Sequence, residues 1–327
     1  DRCRHERATP AEWAEWAKGI GASGTSTCGE RVLSLSLCSH RKFFAARLWP
    51  AARLMARYLE YNRSISSGRR VLEVGAGAGL PSIIAALVGA DRVLITDVPD
   101  ERMLQNTRKN VAQNVPPDFA WRGAVHGDDW AWPPMQLRTM LDAMLRESSP
   151  ASPNSPKTTG LASTKDHAHI GFDLILLSDV MYELDHEALL KLISVCLVTA
   201  GRSTTSTARE RKTLDERCGM PPPQVLLSFQ PHDPVQLPRQ LRFFELARGS
   251  PYYFDVSPLW ATRAPKMFPR VDDMSEADDE QSQRVYLFSI TRAANHEAAN
   301  GSKAAYPSTP FELPPLGVWC ARGDKEG

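Results

Sequence analysis

No two cysteines in this chain stand at CxxC spacing. The six that exist, Cys3, Cys28, Cys38, Cys196, Cys218 and Cys320, lie far apart, and none joins histidines at zinc-finger spacing. A zinc ribbon and a dense disulfide framework are therefore excluded, and no metal is expected. Neither sign of charge is in excess. Net charge is +1 over 327 residues, so composition makes no case for nucleic acid or an anionic membrane as partner. The basic run Arg209-Glu210-Arg211-Lys212 reads as solvated loop. No apolar run reaches the roughly 20 residues a membrane helix needs. No stretch reads as a secretion signal, and no internal repeat is visible. The expectation is reduced thiols in the cytosol or nucleus, with the cytoplasm as the assigned compartment and a monomer as the assembly. The chain opens on Asp1 rather than Met, so its start is left open.

What is present is a hydrophobic content of 42%, enough for a sizeable core. "LWPAARLMARYLEY" (Leu48 to Tyr61) places Leu48, Ala52, Met55, Tyr58 and Leu59 at helical spacing, with Pro50 in the first turn. Short apolar runs alternate with helical ones thereafter. Strands are expected at Val71–Val74, Val93–Thr96, in a short segment before "HGDDW", and at Phe172–Val180, Gln224–Phe229 and Arg284–Arg292. Helices are expected at Leu80–Val88, Glu101–Val111, Asp185–Leu197 and Leu237–Arg248. Such alternation implies an α/β fold, a parallel sheet with helices on both faces. Residues 146–171 and 201–223 are rich in Ser, Thr and Pro and read as surface insertions. The expected organisation is an N-terminal extension over 1–40, one domain over 41–292 carrying both insertions, and a polar tail over 293–327.

The densest signal is "VLEVGAGAGLPSIIAALVGADRVLITDV", Val71 to Val98. It reads as strand, glycine turn, helix, and a strand ending in an acid. Glycine lets the backbone turn sharply and lets a ligand approach without meeting a β-carbon. The helix that follows presents its N-terminal amides. A dinucleotide site wants G-x-G-x-x-G. Here Gly75, Gly77 and Gly79 give G-x-G-x-G, with the third glycine one residue early. Glu73, two residues before the turn, suits a ligand with a cationic amino acid part better than a pyrophosphate. Asp97, at the end of the next strand, suits the two hydroxyls of a ribose. Together they describe S-adenosylmethionine. For Glu73 the alternative is a partner for the helix dipole, and for Asp97 a solvated strand end.

These residues resemble motif I and the second strand of the class I, seven-stranded S-adenosylmethionine-dependent methyltransferases. Thr96-Asp97-Val98-Pro99 is similar to the T-D-x-P of the protein lysine methyltransferase branch, and Asn106 and Asn110 to its N-x-x-x-N helix. "FDLILLSDVMYELDHEALL" resembles that branch's D-x-x-aromatic step, with Asp179 and Tyr182. Within the branch, the chain looks like the fungal enzymes that methylate the N-terminus and a nearby lysine of elongation factor 1-alpha. That group has a Trp before motif I (here Trp49), a His-Pro turn after the fifth strand (His232, Pro234) and F-F-x-x-A (Phe243, Phe244, Ala247). Near its end come M-F and R-x-V, here Met267, Phe268 and Arg284, with Val285 shifted by one. Two features depart from the group. Its Asn-His after the D-x-x-aromatic step is Glu183-Leu184, and its His-His-Arg-Pro turn reads Gln230-Pro231-His232-Asp233-Pro234.

The resemblance implies a Rossmann-like seven-stranded methyltransferase sheet and a protein substrate, elongation factor 1-alpha. It implies that Trp49, Glu73, Gly75, Gly77, Gly79, Asp97, Asp129, Trp130 and Asp179 hold the cofactor, with Asp129 and Trp130 near the adenine. Asp179 and Tyr182 would be the catalytic pair, one orienting an amine and the other walling the methyl channel. Plainer readings stand beside these: an N-cap for Asp179, core packing for Trp49, a rim tryptophan for Trp130 and an ordinary turn histidine for His232. A small-molecule N-methyltransferase of the nicotinamide type, and a cofactor-binding protein without catalysis, are the alternative functions.

Overall fold

The computed structural model describes residues 33–38, 47–116, 122–127, 171–182, 185–198, 221–264, 267, 275–293 and 311–318. Asp129 and Trp130, and nearly all of both Ser/Pro-rich stretches, lie outside the described residues.

The strands are β1 (Arg70–Val74), β2 (Arg92–Asp97), β3 (Arg122–Gly127), β4 (Leu174–Ser178), β5 (Gln224–Phe229), β6 (Phe254–Arg263), β7 (Arg284–Arg292) and the two-residue β8 (Gly317–Val318). They form one sheet in the order β3-β2-β1-β4-β5-β7-β6-β8. The helices are α1 (Pro50–Tyr61), α2 (Leu80–Leu87), α3 (Glu101–Asn114), α4 (His186–Cys196), α5 (Leu237–Arg248) and α6 (Glu276–Ser282).

The expected parallel sheet needs a correction. Only β3-β2-β1-β4-β5 pair in parallel, whereas β7 is antiparallel to both β5 and β6. Parallel neighbours need a crossover, and among the described residues helices supply it between β1 and β2, β2 and β3, and β4 and β5. Strands β6 and β7 pair antiparallel, a pairing that needs no crossover, and α6 is the helix described between them. Strand β6 was absent from the sequence-based expectation. Pro258 breaks its alternation, and the register with β7 shifts between Pro258 and Trp260, a bulge that a strand pattern hides.

Side chains alternate between the two faces, as a strand demands. Ile175 and Leu177 join one core with α4 and α5, built on Leu189, Ile193, Phe243 and Phe244. Leu174 and Leu176 join the other, with Leu54, Met55, Ile83 and Leu104 from α1, α2 and α3. The helix starts are chemically set. Pro50 opens α1. Asp100 accepts from the amides of Arg102 and Met103 to cap α3, and Asp185 accepts from Ala188 to cap α4.

The body draws on chain beyond 41–292 at both ends. Phe311, from the stretch expected to be a polar tail, stacks on Phe244 with ring centroids 4.2 Å apart. Val318 pairs with Trp260 of β6. Upstream, residues 33–38 run extended along α3 without joining any strand. Asn114 and Asn110 each bind both the N–H and the C=O of one serine of this segment. Asn114 Oδ1 accepts from Ser34 N (2.9 Å) while its Nδ2 donates to Ser34 O (2.7 Å); Asn110 does the same with Ser36 at 2.8 and 2.9 Å. Two residues of extended chain span about 6.7 Å. Four residues of helix rise about 6 Å. An i, i+2 row can therefore zip onto an i, i+4 row, and side-chain amides stand in for a neighbouring strand.

Candidate active site

Because β1 to β5 pair in parallel, their carboxyl ends share one edge. Strand order reverses between β1 and β4, where α/β sheets form their ligand crevice. The glycine turn leaves β1 there and Asp179 leaves β4. The two are in contact range, since a β-carbon on Gly75 would fall 2.7 Å from Val180 Cγ1.

Gly75, Gly77 and Gly79 all hold positive φ, at 68°, 54° and 77°. This left-handed backbone suits glycine far better than any other residue. The turn is fixed from two sides, β2 and α3. Ala76 N donates to Thr96 O (3.1 Å), and Gly77 N donates to Asp97 Oδ2 (2.6 Å). From α3, Thr107 Oγ1 donates to Gly77 O (2.7 Å) and Asn110 Nδ2 to Ala78 O (3.0 Å). Asp97 therefore stands at the turn as expected, with its second oxygen accepting from Val98 N at 2.7 Å. Burial raises its carboxyl above the usual range, against the two amides that lower it.

Glu73 is fully buried at the end of β1. Its Oε2 accepts from Ser82 N in the first turn of α2 (3.0 Å), so the helix-partner role is real. Its Oε1 has no hydrogen-bond partner among the described residues. An orphaned buried carboxylate oxygen is costly unless something cationic or a donor reaches it. That makes it a fit for the ammonium of an amino acid ligand. Burial pushes the Glu73 carboxyl up to about 8, with hydrogen bonding from Ser82 pulling the other way. A group whose pKa is higher folded than unfolded binds more protons in the native state, so stability falls as pH rises through that interval. Here it falls from about 4.5 to about 8 and then levels off. In Glu73→Gln this slope is expected to flatten, read as a smaller melting-temperature difference between about pH 5 and about pH 8 in the absence of cofactor.

At the end of β4, Asp179 holds φ 61°, one of two non-glycine residues with positive φ among the described residues. Its amide donates to Ser228 O (2.7 Å). Its Oδ1 accepts from Gln230 N (3.2 Å), and its Oδ2 lies 2.6 Å from His232 Nε2. The imidazole in turn packs on Trp49, centroids 4.8 Å apart and tilted by 57°. Asp179 caps no helix. The structure thus joins the ends of β4 and β5 to the start of α1 through three side chains. A carboxylate held by two donors and walled by an indole can orient a cationic or donor group, and left-handed non-glycine backbone is a mark of such sites.

Most expected site residues converge here: Trp49, Glu73, the three glycines, Asp97 and Asp179. Tyr182 lies three residues beyond Asp179 and is 46% exposed, so its ring is presented rather than packed away. Asp129 and Trp130 lie outside the described residues. His232, which reads in the sequence as an ordinary turn histidine, is brought onto Asp179 by the fold. It sits 53 residues from Asp179, and the QPHDP turn after β5 was its single signal. Thr107 and Asn110 as supports of the turn had no signal beyond their helical spacing. Among the described residues, no group of three His, Cys, Asp or Glu side chains is placed to hold a metal ion. No helix among them is long and apolar enough to cross a membrane.

Residues 36–144, which take in Ser36, α1, the glycine turn, α3 and β3, match the lysine methyltransferase family. Three curated fungal relatives carry the name protein N-terminal and lysine N-methyltransferase EFM7. One, from Cryptococcus neoformans, is 30% identical over 215 residues, covering 65% of this chain and 62% of the relative. Its counterpart from Aspergillus fumigatus is 30% identical over 271 residues, 81% of this chain and 85% of that protein. The third, from Eremothecium gossypii, is 28% identical over 295 residues, 89% and 91% of the two chains. The chain spans less than two thirds of the Cryptococcus relative's length, and most of the other two. The glycine turn with its two acids, the strand order around it and these likenesses agree: this chain belongs to the lysine methyltransferase family, beside the fungal protein N-terminal and lysine N-methyltransferases.

Proposed function

We propose that this protein is an S-adenosylmethionine-dependent protein N-methyltransferase that modifies the N-terminal amine, a lysine, or both, of elongation factor 1-alpha, acting as a monomer in the cytoplasm. The observation that carries the reading is the turn after β1. Its three positive-φ glycines, the Asp97 carboxylate on Gly77 N and the unpartnered Glu73 oxygen suit a sugar and an ammonium better than a pyrophosphate. The name of the fungal relatives, protein N-terminal and lysine N-methyltransferase, supports the reaction and a protein substrate. The elongation factor comes from the resemblance of the later motifs.

The cofactor, when bound, supplies a methyl group already activated on a sulfonium. What remains for the chain is to deliver a neutral amine in line with that methyl, and positioning of this kind supplies most of the rate. Asp179, braced by Gln230 and His232, orients the amine. Trp49 closes the wall behind His232, and Tyr182 offers its exposed ring beside the path. Asp97 accepts from the ribose, and Glu73 answers the ammonium. No metal enters this chemistry.

The test is direct. Purified protein, labelled cofactor and elongation factor 1-alpha are incubated, and the factor is mapped by mass spectrometry. Methyl groups on its N-terminal peptide or on a lysine are expected. An unlabelled factor in an assay where a proteome extract is labelled rejects the substrate. Efficient turnover of free nicotinamide instead rejects the protein-directed reading.

A further inference from the structure

We infer that residues 33–38 are a working part of the cofactor site, and that Asn110 is the positioning residue that joins them to the glycine turn. The inference rests on the reading of that turn as the cofactor's seat. Asn110 is fully buried and all its polar capacity is spent. One Nδ2 hydrogen goes to Ala78 O in the turn (3.0 Å) and the other to Ser36 O in the segment (2.9 Å), while Oδ1 accepts from Ser36 N (2.8 Å). One rigid amide plane thus reads two pieces of backbone that are otherwise apart. Asn106 adds a second donor to Ser36 O (2.8 Å), and Asn114 extends the row to Ser34 without touching the turn.

If the segment leaves, two of the three hydrogen bonds of Asn110 are lost in a buried place. The amide is then free to rotate, and its hold on Ala78 O weakens. Thr107 shares its hydroxyl hydrogen between Gly77 O and Met103 O, so it does not replace that hold. The peptide unit that Asn110 holds lies between Ala78 and Gly79, and its N–H donates to Ala76 O (2.8 Å), so its orientation sets the shape of the turn that a ligand meets. Docking of the segment therefore pre-organises the turn. By linkage, whatever orders the turn favours docking by the same factor.

The amides of Ser34 and Ser36 are themselves the bonded donors, so hydrogen exchange at these positions reports docking. In the wild-type chain, saturating S-adenosylhomocysteine is expected to slow exchange over 33–38 about five-fold or more. Asn114→Ala, which removes both bonds to Ser34 and the bond from Asn114 Nδ2 to Asn110 O but no bond to the turn, is expected to speed that exchange and to weaken S-adenosylhomocysteine binding by calorimetry, also about five-fold. A stabilising residue without coupling would change melting temperature and leave the affinity alone. If the ligand binds the wild type normally while exchange at Ser34 and Ser36 stays unchanged, the inference is overturned and the cofactor reading stands. If the wild type binds no S-adenosylhomocysteine at all, the cofactor reading falls and the inference with it. The exchange experiment needs no variant, so poor folding of Asn114→Ala leaves a decisive result.

Discussion

Gly75→Ala is expected to abolish measurable cofactor binding and to lower the melting temperature. Two costs add at this one position. The backbone at φ 68° disfavours any β-carbon, a strain of about 1–3 kcal/mol. The new methyl would also stand 2.7 Å from Val180 Cγ1, well inside contact distance. Val180 is 3% exposed, and a β-branched side chain has little rotamer freedom, so it cannot simply swing aside. The turn itself must move, and it lies where β1 gives way to α2. Calorimetry with S-adenosylhomocysteine and a thermal melt check the result. The double variant Gly75→Ala/Val180→Ala separates the two costs. It removes the clash and keeps the strain, so it should recover part of the stability and little of the affinity. Wild-type affinity in Gly75→Ala would mean that the ligand does not use this turn.

Asp179→Asn should cut kcat by about 10²-fold or more. Asparagine is nearly isosteric and, among residues with a β-carbon, tolerates left-handed backbone well, so φ 61° can be retained. The hydrogen bond from Gln230 N to the side-chain oxygen can also survive. What is lost is the negative charge facing His232 and, in the proposed reaction, facing the incoming amine. Asp179→Ala removes both the charge and the acceptor, and it puts alanine at positive φ. That variant should therefore also be less stable, by about 1–2 kcal/mol from the backbone alone. Asp179→Gly frees the backbone while keeping the charge absent, so its stability should return and its activity should not. If Asp179→Asn methylates at the wild-type rate, the aspartate is only a clasp between the β4 and β5 loops.

Much of this was legible in the sequence because it is local. The glycine turn, Glu73 and Asp97 lie on one strand-helix-strand unit, where spacing along the chain is spacing in space. The first five strands and α5 could be placed from apolar runs and turn residues. What stayed hidden depends on distant pairing. β6 is masked by Pro258 and its bulge. "LSLSLC" at residues 33–38 alternates like a strand, yet its partners are asparagine side chains on a helix, and no strand pattern announces them. Asn106 and Asn110 stood out as a motif, but their spacing did not say that they face a chain segment on one side and a ligand turn on the other. Asp179 stood out as well, whereas its bond to His232 is made by the fold.

The stacking of Phe311 on Phe244, beside the pairing of Val318 with Trp260, has a practical corollary. The serine row grips α3, while Phe311 packs on Phe244 of α5 and Phe288 of β7 and the Val318 strand pairs beyond β6. The polypeptide is thus fastened at opposite borders by stretches that look dispensable on paper. Trimming from the front should blunt ligand recognition, whereas trimming from the back should uncover aromatic surface and promote clumping.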